Sequence, residues 1–173
     1  MDPPLPHPSN YLHPSLHNFP TEDWLPIEFD TLVSYDLFVH PLQFTTDAVL
    51  GSGGRINLEF YDEGKLPAGQ ITIGFHNESI DFLFGQCNVE EHFQTLPMID
   101  PWENPDKSWT IYKAEGFLFV ECNGEFLLGY EIELECESEE KWNWDRNVRY
   151  IQFESTGRAP TAYRRRPSKF TIL

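Results

Sequence analysis

The residues best suited to chemistry in this sequence are acidic and aromatic. Glu131, Glu133, Glu135 and Glu137 recur at every second position, and Glu139 and Glu140 follow. On a strand, that period puts carboxylates about 6.5 to 7 Å apart on one face. The spacing is too wide for one calcium ion, which gathers six to eight oxygens from a curling loop. It suits a solvated face that blunts a sheet edge or an acidic docking face for a basic partner. A glycosidase pair also fits the spacing, although nothing marks two of these carboxylates as unequal, which acid and nucleophile roles require. The aromatic candidates are Trp102 in DPWENP and Trp142 and Trp144 in KWNWDRN, with Asp145 and Arg146 beside them. Tryptophan in a polar, turn-like setting is what a sandwich offers for stacking on a carbohydrate or contacting a protein. The alternative is that each indole plugs an end of the core.

Other constellations are weaker. Cys87, Cys122 and Cys136 are odd in number and lack the CxxC spacing of zinc and redox sites. They predict free thiols in a reducing compartment, with Cys136 a small buried hydrophobe on an alternating strand. The six histidines are scattered, three of them before residue 20, so no metal site is expected. There is no GxSxG. The glycines of AVLGSGGRINLEF resemble a phosphate cradle, but a cradle opens a helix, and Arg55–Phe60 alternates as a strand. Neither a cofactor nor a catalytic residue is expected.

The elements that must position these residues are strands. Fourteen Phe, seven Tyr and five Trp in 173 residues favour pleated, half-buried surfaces, and the length suits one domain. Strand-like runs recur about every ten residues from Ile27, separated by Gly, Pro, Asn and Asp clusters. The pattern predicts an antiparallel β-sandwich, jelly-roll or galectin-like, of about 9–11 strands over residues 27–166. Its firmest element is GFLFVEC-NG-EFLLGYEIELEC, where Asn123-Gly124 suits a type I′ turn. The second strand of this hairpin is expected to run to Cys136, with Tyr130, Ile132 and Leu134 inward and the glutamates outward. Residues 1–26 form a Pro-rich arm with a PxxP string at Pro3–Pro6. Residues 167–173 form a tail.

The net charge of −16 repels phosphate backbones and anionic lipid surfaces, so neither nucleic acid nor a membrane is expected as a partner. No apolar run approaches the roughly 18 residues of a membrane span. With no basic, apolar leader visible, the expectation is a cytoplasmic protein. The charge is uneven: Arg158, Arg164, Arg165, Arg166 and Lys169 leave the last stretch basic.

With the strands placed, several strings fall in the order of one known family. They are Arg55-Ile56-Asn57-Leu58, then Ile71-Thr72-Ile73-Gly74 with Asn77 and Ser79-Ile80, then Trp109-Thr110-Ile111 and Gly116–Val120. Val148–Ile151, Gly157 and Tyr163-Arg164 complete the order. This resembles the farnesoic acid O-methyltransferase-like domain, a β-sandwich module. The sequence departs from it at Phe75-His76, where the family has Gly-Trp, and at Asp81, where it has a basic residue. The resemblance implies a binding module and carries over no catalytic residue. Galectin-type sandwiches are similar in pairing two apolar strands through Asn-Gly, but their HxNPR and Trp-Gly-x-Glu-x-Arg strings are absent.

The expectation is therefore a non-enzymatic domain that recognises a protein or a glycan. Its contacts would be loop aromatics (Trp102, Trp142, Trp144, with Asp145 and Arg146) and the acidic strand face of Glu131, Glu133, Glu135 and Glu137. Two alternatives stay open: a sandwich enzyme using paired carboxylates, and a homo-oligomer assembled through an exchanged N-terminal arm.

Overall fold

Alternation of apolar and polar side chains shapes several strands of the chain in the computed structural model. It describes residues 24–37, 40–47, 54–76, 79–97, 106–132, 136, 141–144, 146–156 and 162–165. Arg55–Tyr61 is typical: Ile56, Leu58 and Phe60 are buried, while Arg55, Asn57, Glu59 and Tyr61 between them are half-buried. Such a strand must find a second apolar layer on one side only.

Twelve strands are described: β1 (Trp24–Pro26), β2 (Leu32–Ser34), β3 (Leu42–Asp47), β4 (Arg55–Tyr61), β5 (Pro67–Phe75), β6 (Ser79–Gln86), β7 (Val89–Pro97), β8 (Asp106–Ala114), β9 (Phe117–Cys122), β10 (Glu125–Glu131), β11 (Tyr150–Thr156) and β12 (Ala162–Arg165). They form two six-stranded sheets with orders β1-β12-β3-β8-β9-β10 and β2-β11-β4-β5-β6-β7. Every pairing is antiparallel. The protein is an antiparallel β-sandwich, as the run spacing predicted, with two strands that the sequence hid. One is β7, whose VEEHFQTLP lacks clean alternation and which carries an extra residue between Phe93 and Leu96, opposite Ile80–Phe82 of β6. The other is β1, three residues at the edge of the first sheet, where proline is tolerated.

The Asn123-Gly124 hairpin forms as predicted, with φ of 52° and 82° at the two turn residues. Asn123 Oδ1 also accepts from the Ser108 N–H at 2.8 Å, which ties the turn to β8. β10 ends at Glu131 instead of running on to Cys136.

The core lies between the sheets around Trp109, which is fully buried. Its ring packs on Phe44, Phe75 and Phe82 at centroid separations of 6.3–6.4 Å. Its indole N–H donates to Thr46 Oγ1 at 3.0 Å, so the one polar atom is satisfied. Tyr130 of the first sheet stacks on Phe84 of the second at 4.1 Å. Each of these side chains contributes about 1.5–3 kcal/mol through burial.

The cysteine expectation is corrected. Cys87 and Cys136 form a disulfide, and Cys122 is a buried thiol outside it. Strand alternation pointed Cys136 into the core. Because β10 stops at Glu131, Cys136 instead lies half-buried in the following segment, opposite the β6–β7 turn.

Candidate functional site

The outer face of the second sheet is built by register. Glu154 of β11 stands opposite Asn57 of β4, which faces Thr72 of β5, which faces Leu83 of β6 and then His92 of β7. The next row reads Gln152, Glu59, Gln70, Gly85 and Glu90. Period two sends all of these away from the core.

They form one directed network. Gln70 Nε2 donates to Thr72 Oγ1 at 3.0 Å, and Thr72 Oγ1 donates to Asn57 Oδ1 at 2.7 Å. With its oxygen so engaged, the Asn57 amide turns its Nδ2 to Glu59 Oε1 at 3.3 Å and to Glu154 Oε2 at 3.2 Å. Gln152 Nε2 donates to the other Glu154 oxygen at 3.2 Å. All donors thus run toward two carboxylates that share one amide. Burial pushes the Glu59 carboxyl above its usual range. The Asn57 amide opposes the rise, and the neighbouring Glu154 charge adds to it.

Trp142 closes one side of this face. A Cβ at Gly85 would lie 2.7 Å from its ring and 2.9 Å from Gln70 Cβ, so glycine leaves the seat in which the indole rests. Lys141 Nζ stands 4.4 Å from the centre of the same ring. The indole nitrogen is buried without a hydrogen-bond partner. It still lies near enough to Glu59 to lower that carboxyl's pKa, a weaker contact than a well-aligned hydrogen bond. Cys87 and Trp142 exchange backbone hydrogen bonds of 2.5 and 2.8 Å. Together with the Cys87–Cys136 disulfide, these clamp the segment carrying Trp142 to the end of β6.

The structure revises the loop-aromatic expectation. Trp142 and Trp144 are 4% and 0% exposed. Trp144 is a core residue: a Cβ at Gly69 would meet its ring at 2.0 Å, and its N–H donates to Gly85 O at 3.0 Å. The two indoles therefore grip opposite faces of the sheet and do not stand bare beside each other. Arg146 staples the same segment by donating to Pro67 O at 2.5 Å and Lys141 O at 3.2 Å. Glu131 is exposed at the end of β10. Trp102, Asp145, Glu133, Glu135 and Glu137 lie outside the described residues.

Sequence reasoning missed a second group at the other end of the face. His76 Nε2 lies 3.2 Å from Asp81 Oδ1, and His92 Nε2 lies 3.5 Å from Asp81 Oδ2, with Asp81 itself buried. The three come from the β5–β6 turn, β6 and β7, and only strand register joins them. Among the described residues, no cluster of three His, Cys, Asp or Glu is arranged to hold a metal ion.

No protein-family model matches this chain, and no curated protein sequence does. Solved structures do. A human galectin-16 variant superposes with a TM-score of 0.50 at 12% identity, covering 80% of this chain and 97% of its own. A non-specific endo-β-1,3(4)-glucanase of family GH16 superposes with a TM-score of 0.50 at 10% identity, covering 78% of this chain and 59% of its own. At these identities the likeness is one of fold: this chain shares the β-sandwich of galectins and of a GH16 glucanase.

Proposed function

We propose that this domain is a recognition module that binds a glycan on the outer face of its second sheet. The observation that carries the reading is the row of amide, hydroxyl and carboxylate groups Gln70–Thr72–Asn57–Glu59–Glu154. They are joined in one network and bordered by Trp142. Sugar hydroxyls are donors and acceptors at once, and a fixed array of planar amides and carboxylates pairs with both roles. The GH16 glucanase that has the same sandwich was co-crystallised with a glucan oligosaccharide, which supports the same reading. In this reading the contact is the sheet face, with Trp142 at its border, and the core residue Trp144 takes no part.

A glycan array followed by calorimetry tests the proposal. Asn57→Ala should weaken binding of any hit at least about tenfold, the equivalent of about 1.4 kcal/mol. A folded protein silent across the array, or an Asn57→Ala variant that binds as tightly as the wild type, would sink it.

One observation favours a second reading, a glycoside hydrolase. Burial raises the Glu59 carboxyl above its usual range, as a proton donor requires. Their shared amide holds the nearest oxygens within about 6.5 Å, which admits the roughly 5–5.5 Å of a retaining pair. In that reading Glu59 is the proton donor and Glu154 the nucleophile. Release of reducing sugar from β-glucans, abolished in both Glu59→Gln and Glu154→Gln, would establish it, and binding without turnover would leave the recognition reading in place.

A further inference from the structure

The outer face of the second sheet is short of positive charge where its carboxylates meet. Glu59 and Glu154 stand on neighbouring strands and take the same amide nitrogen, Asn57 Nδ2, at 3.3 and 3.2 Å. Gln152 Nε2 donates to the second Glu154 oxygen at 3.2 Å. These donors are neutral amides, and each offsets only part of a full charge. Among the described residues, no Lys, Arg or His comes within ion-pair distance of either carboxylate. Lys141 stands over the Trp142 ring instead, and it is the least of the influences on Glu59. Burial, and after it the Glu154 charge, hold the Glu59 carboxyl above its ordinary range.

Two polar atoms on this face are buried and unpaired, one toward each end. Trp142 Nε1, in a residue 4% exposed, has no hydrogen-bond partner and lies beside Glu59. Asp81 Oδ1, in a residue 7% exposed, has none either, because His76 Nε2 at 3.2 Å lies off the hydrogen-bond direction. Asp81 points to the same side of β6 as Gly85, the seat of Trp142, and the two positions are about 13 Å apart along the strand. A donor is open at one end, an acceptor at the other, and an uncompensated carboxylate pair lies between.

Hydroxyls answer the two open atoms but not the charge. An ammonium answers the charge, since it has three N–H groups and no acceptor. Its nitrogen, roughly 2.7–2.9 Å from an oxygen on each side, spans up to about 5.8 Å. The shared amide holds the nearest Glu59 and Glu154 oxygens within about 6.5 Å, so the gap suits one such group.

We propose that the glycan bound on this face is an amino sugar, with a free, protonated amine seated between Glu59 and Glu154. The inference rests on the recognition reading above and narrows its ligand class. The Gln70, Thr72 and Gln152 side chains around the pair supply partners for the hydroxyls of a sugar ring. A lysine side chain brings the same charge on a bare four-carbon stem and leaves those partners unused.

Calorimetry on the full chain tests the proposal with three β-1,4-linked tetrasaccharides, of glucosamine, N-acetylglucosamine and glucose, at a pH that keeps the amine protonated. The glucosamine oligomer should bind at least about tenfold more tightly than the other two, and its affinity should fall as salt is raised. Glu154→Gln, with the far-ultraviolet spectrum of a folded sandwich, should erase that preference. Equal affinity for all three, or a preference for a neutral one, would overturn the amine and leave the glycan reading standing. Silence of all three would overturn it too, and the glycan array then decides separately whether the wider reading holds. A lysine tetrapeptide that binds as tightly as the glucosamine oligomer would overturn the sugar, and a preference that survives Glu154→Gln would overturn the placement.

Discussion

Breaking the Cys87–Cys136 disulfide should cost this domain a large part of its stability. The bridge spans a sequence separation of 49 residues. In the chain-entropy model, a closed loop of that size restrains the unfolded chain by about 14 cal/mol/K, or about 4 kcal/mol at 25 °C. For a chain of this length, each kcal/mol moves the midpoint by about 2–4 °C, so reduction should lower Tm by about 8–16 °C. Thermal or urea unfolding with and without reductant measures this, and thiol counting supplies the control. Denatured without reductant, the protein should show one reactive thiol, Cys122, and with reductant three. Single variants separate the bridge from simple core packing. Cys87→Ser and Cys136→Ser should destabilise equally, and the double variant should unfold at the midpoint of the reduced wild type and ignore reductant. Three thiols titrating without reductant, or a double variant with the wild-type midpoint, would refute the reasoning. Unequal single variants, with only Cys136→Ser harmful, would restore the buried-hydrophobe role that strand alternation suggested.

Two further predictions follow from the seats of the indoles and from the buried carboxylate. Gly85→Ala places a Cβ 2.7 Å from the Trp142 ring and should cost about 1–3 kcal/mol in urea unfolding. It should also shift tryptophan fluorescence as Trp142 is lifted from the face, and an unchanged emission spectrum would show that the indole does not rest there. Glu59 binds its proton more tightly in the folded state than at the ordinary value of 4.5, so its effect on stability has a definite sign. The folded state is favoured at low pH and loses ground as pH rises from the ordinary value through the raised one. Glu59→Gln never ionises and should be more stable than wild type at neutral pH, with no advantage well below pH 4.5. Urea midpoints at the two ends of that range check it, and equal differences at both would dismiss burial as the cause.

The fold was largely legible because each strand carries its own face assignment. Ile56, Leu58 and Phe60 against Asn57 and Glu59, or the Asn123-Gly124 turn, can be read without a partner strand. β7 was illegible because its bulged pairing breaks the period, and the end of β10 because Ile132, Leu134 and Cys136 continue an alternation that the backbone abandons after Glu131. The Trp142 and Trp144 seats left a signal that could have been found: Gly69 and Gly85 interrupt β5 and β6, and glycine inside a strand marks the close approach of another group. The disulfide left none, since two cysteines 49 residues apart pair only once the β6–β7 turn and the segment after β10 have met.

The candidate site shows where strand-by-strand reading ends. Asn57 and Glu154 are 97 positions apart and touch because β4 and β11 pair in one register. Alternation shows that both side chains face outward, but it cannot show that they share a row. A shift of one residue would send Asn57 to the core face, and a shift of two would place it opposite another side chain. The register is held from within, since Ile151 and Phe153 of β11 must meet Phe60 and Leu58 of β4 on the buried side. The polar network is thus positioned by the apolar residues between its members. Shortening Phe153 to leucine should therefore loosen the Glu154–Asn57 contact and weaken binding of any ligand found on that face, although Phe153 touches none of it. Paired calorimetry on Phe153→Leu and Asn57→Ala would test this, and a Phe153→Leu protein that is less stable yet binds with unchanged affinity would show that the network holds its own geometry.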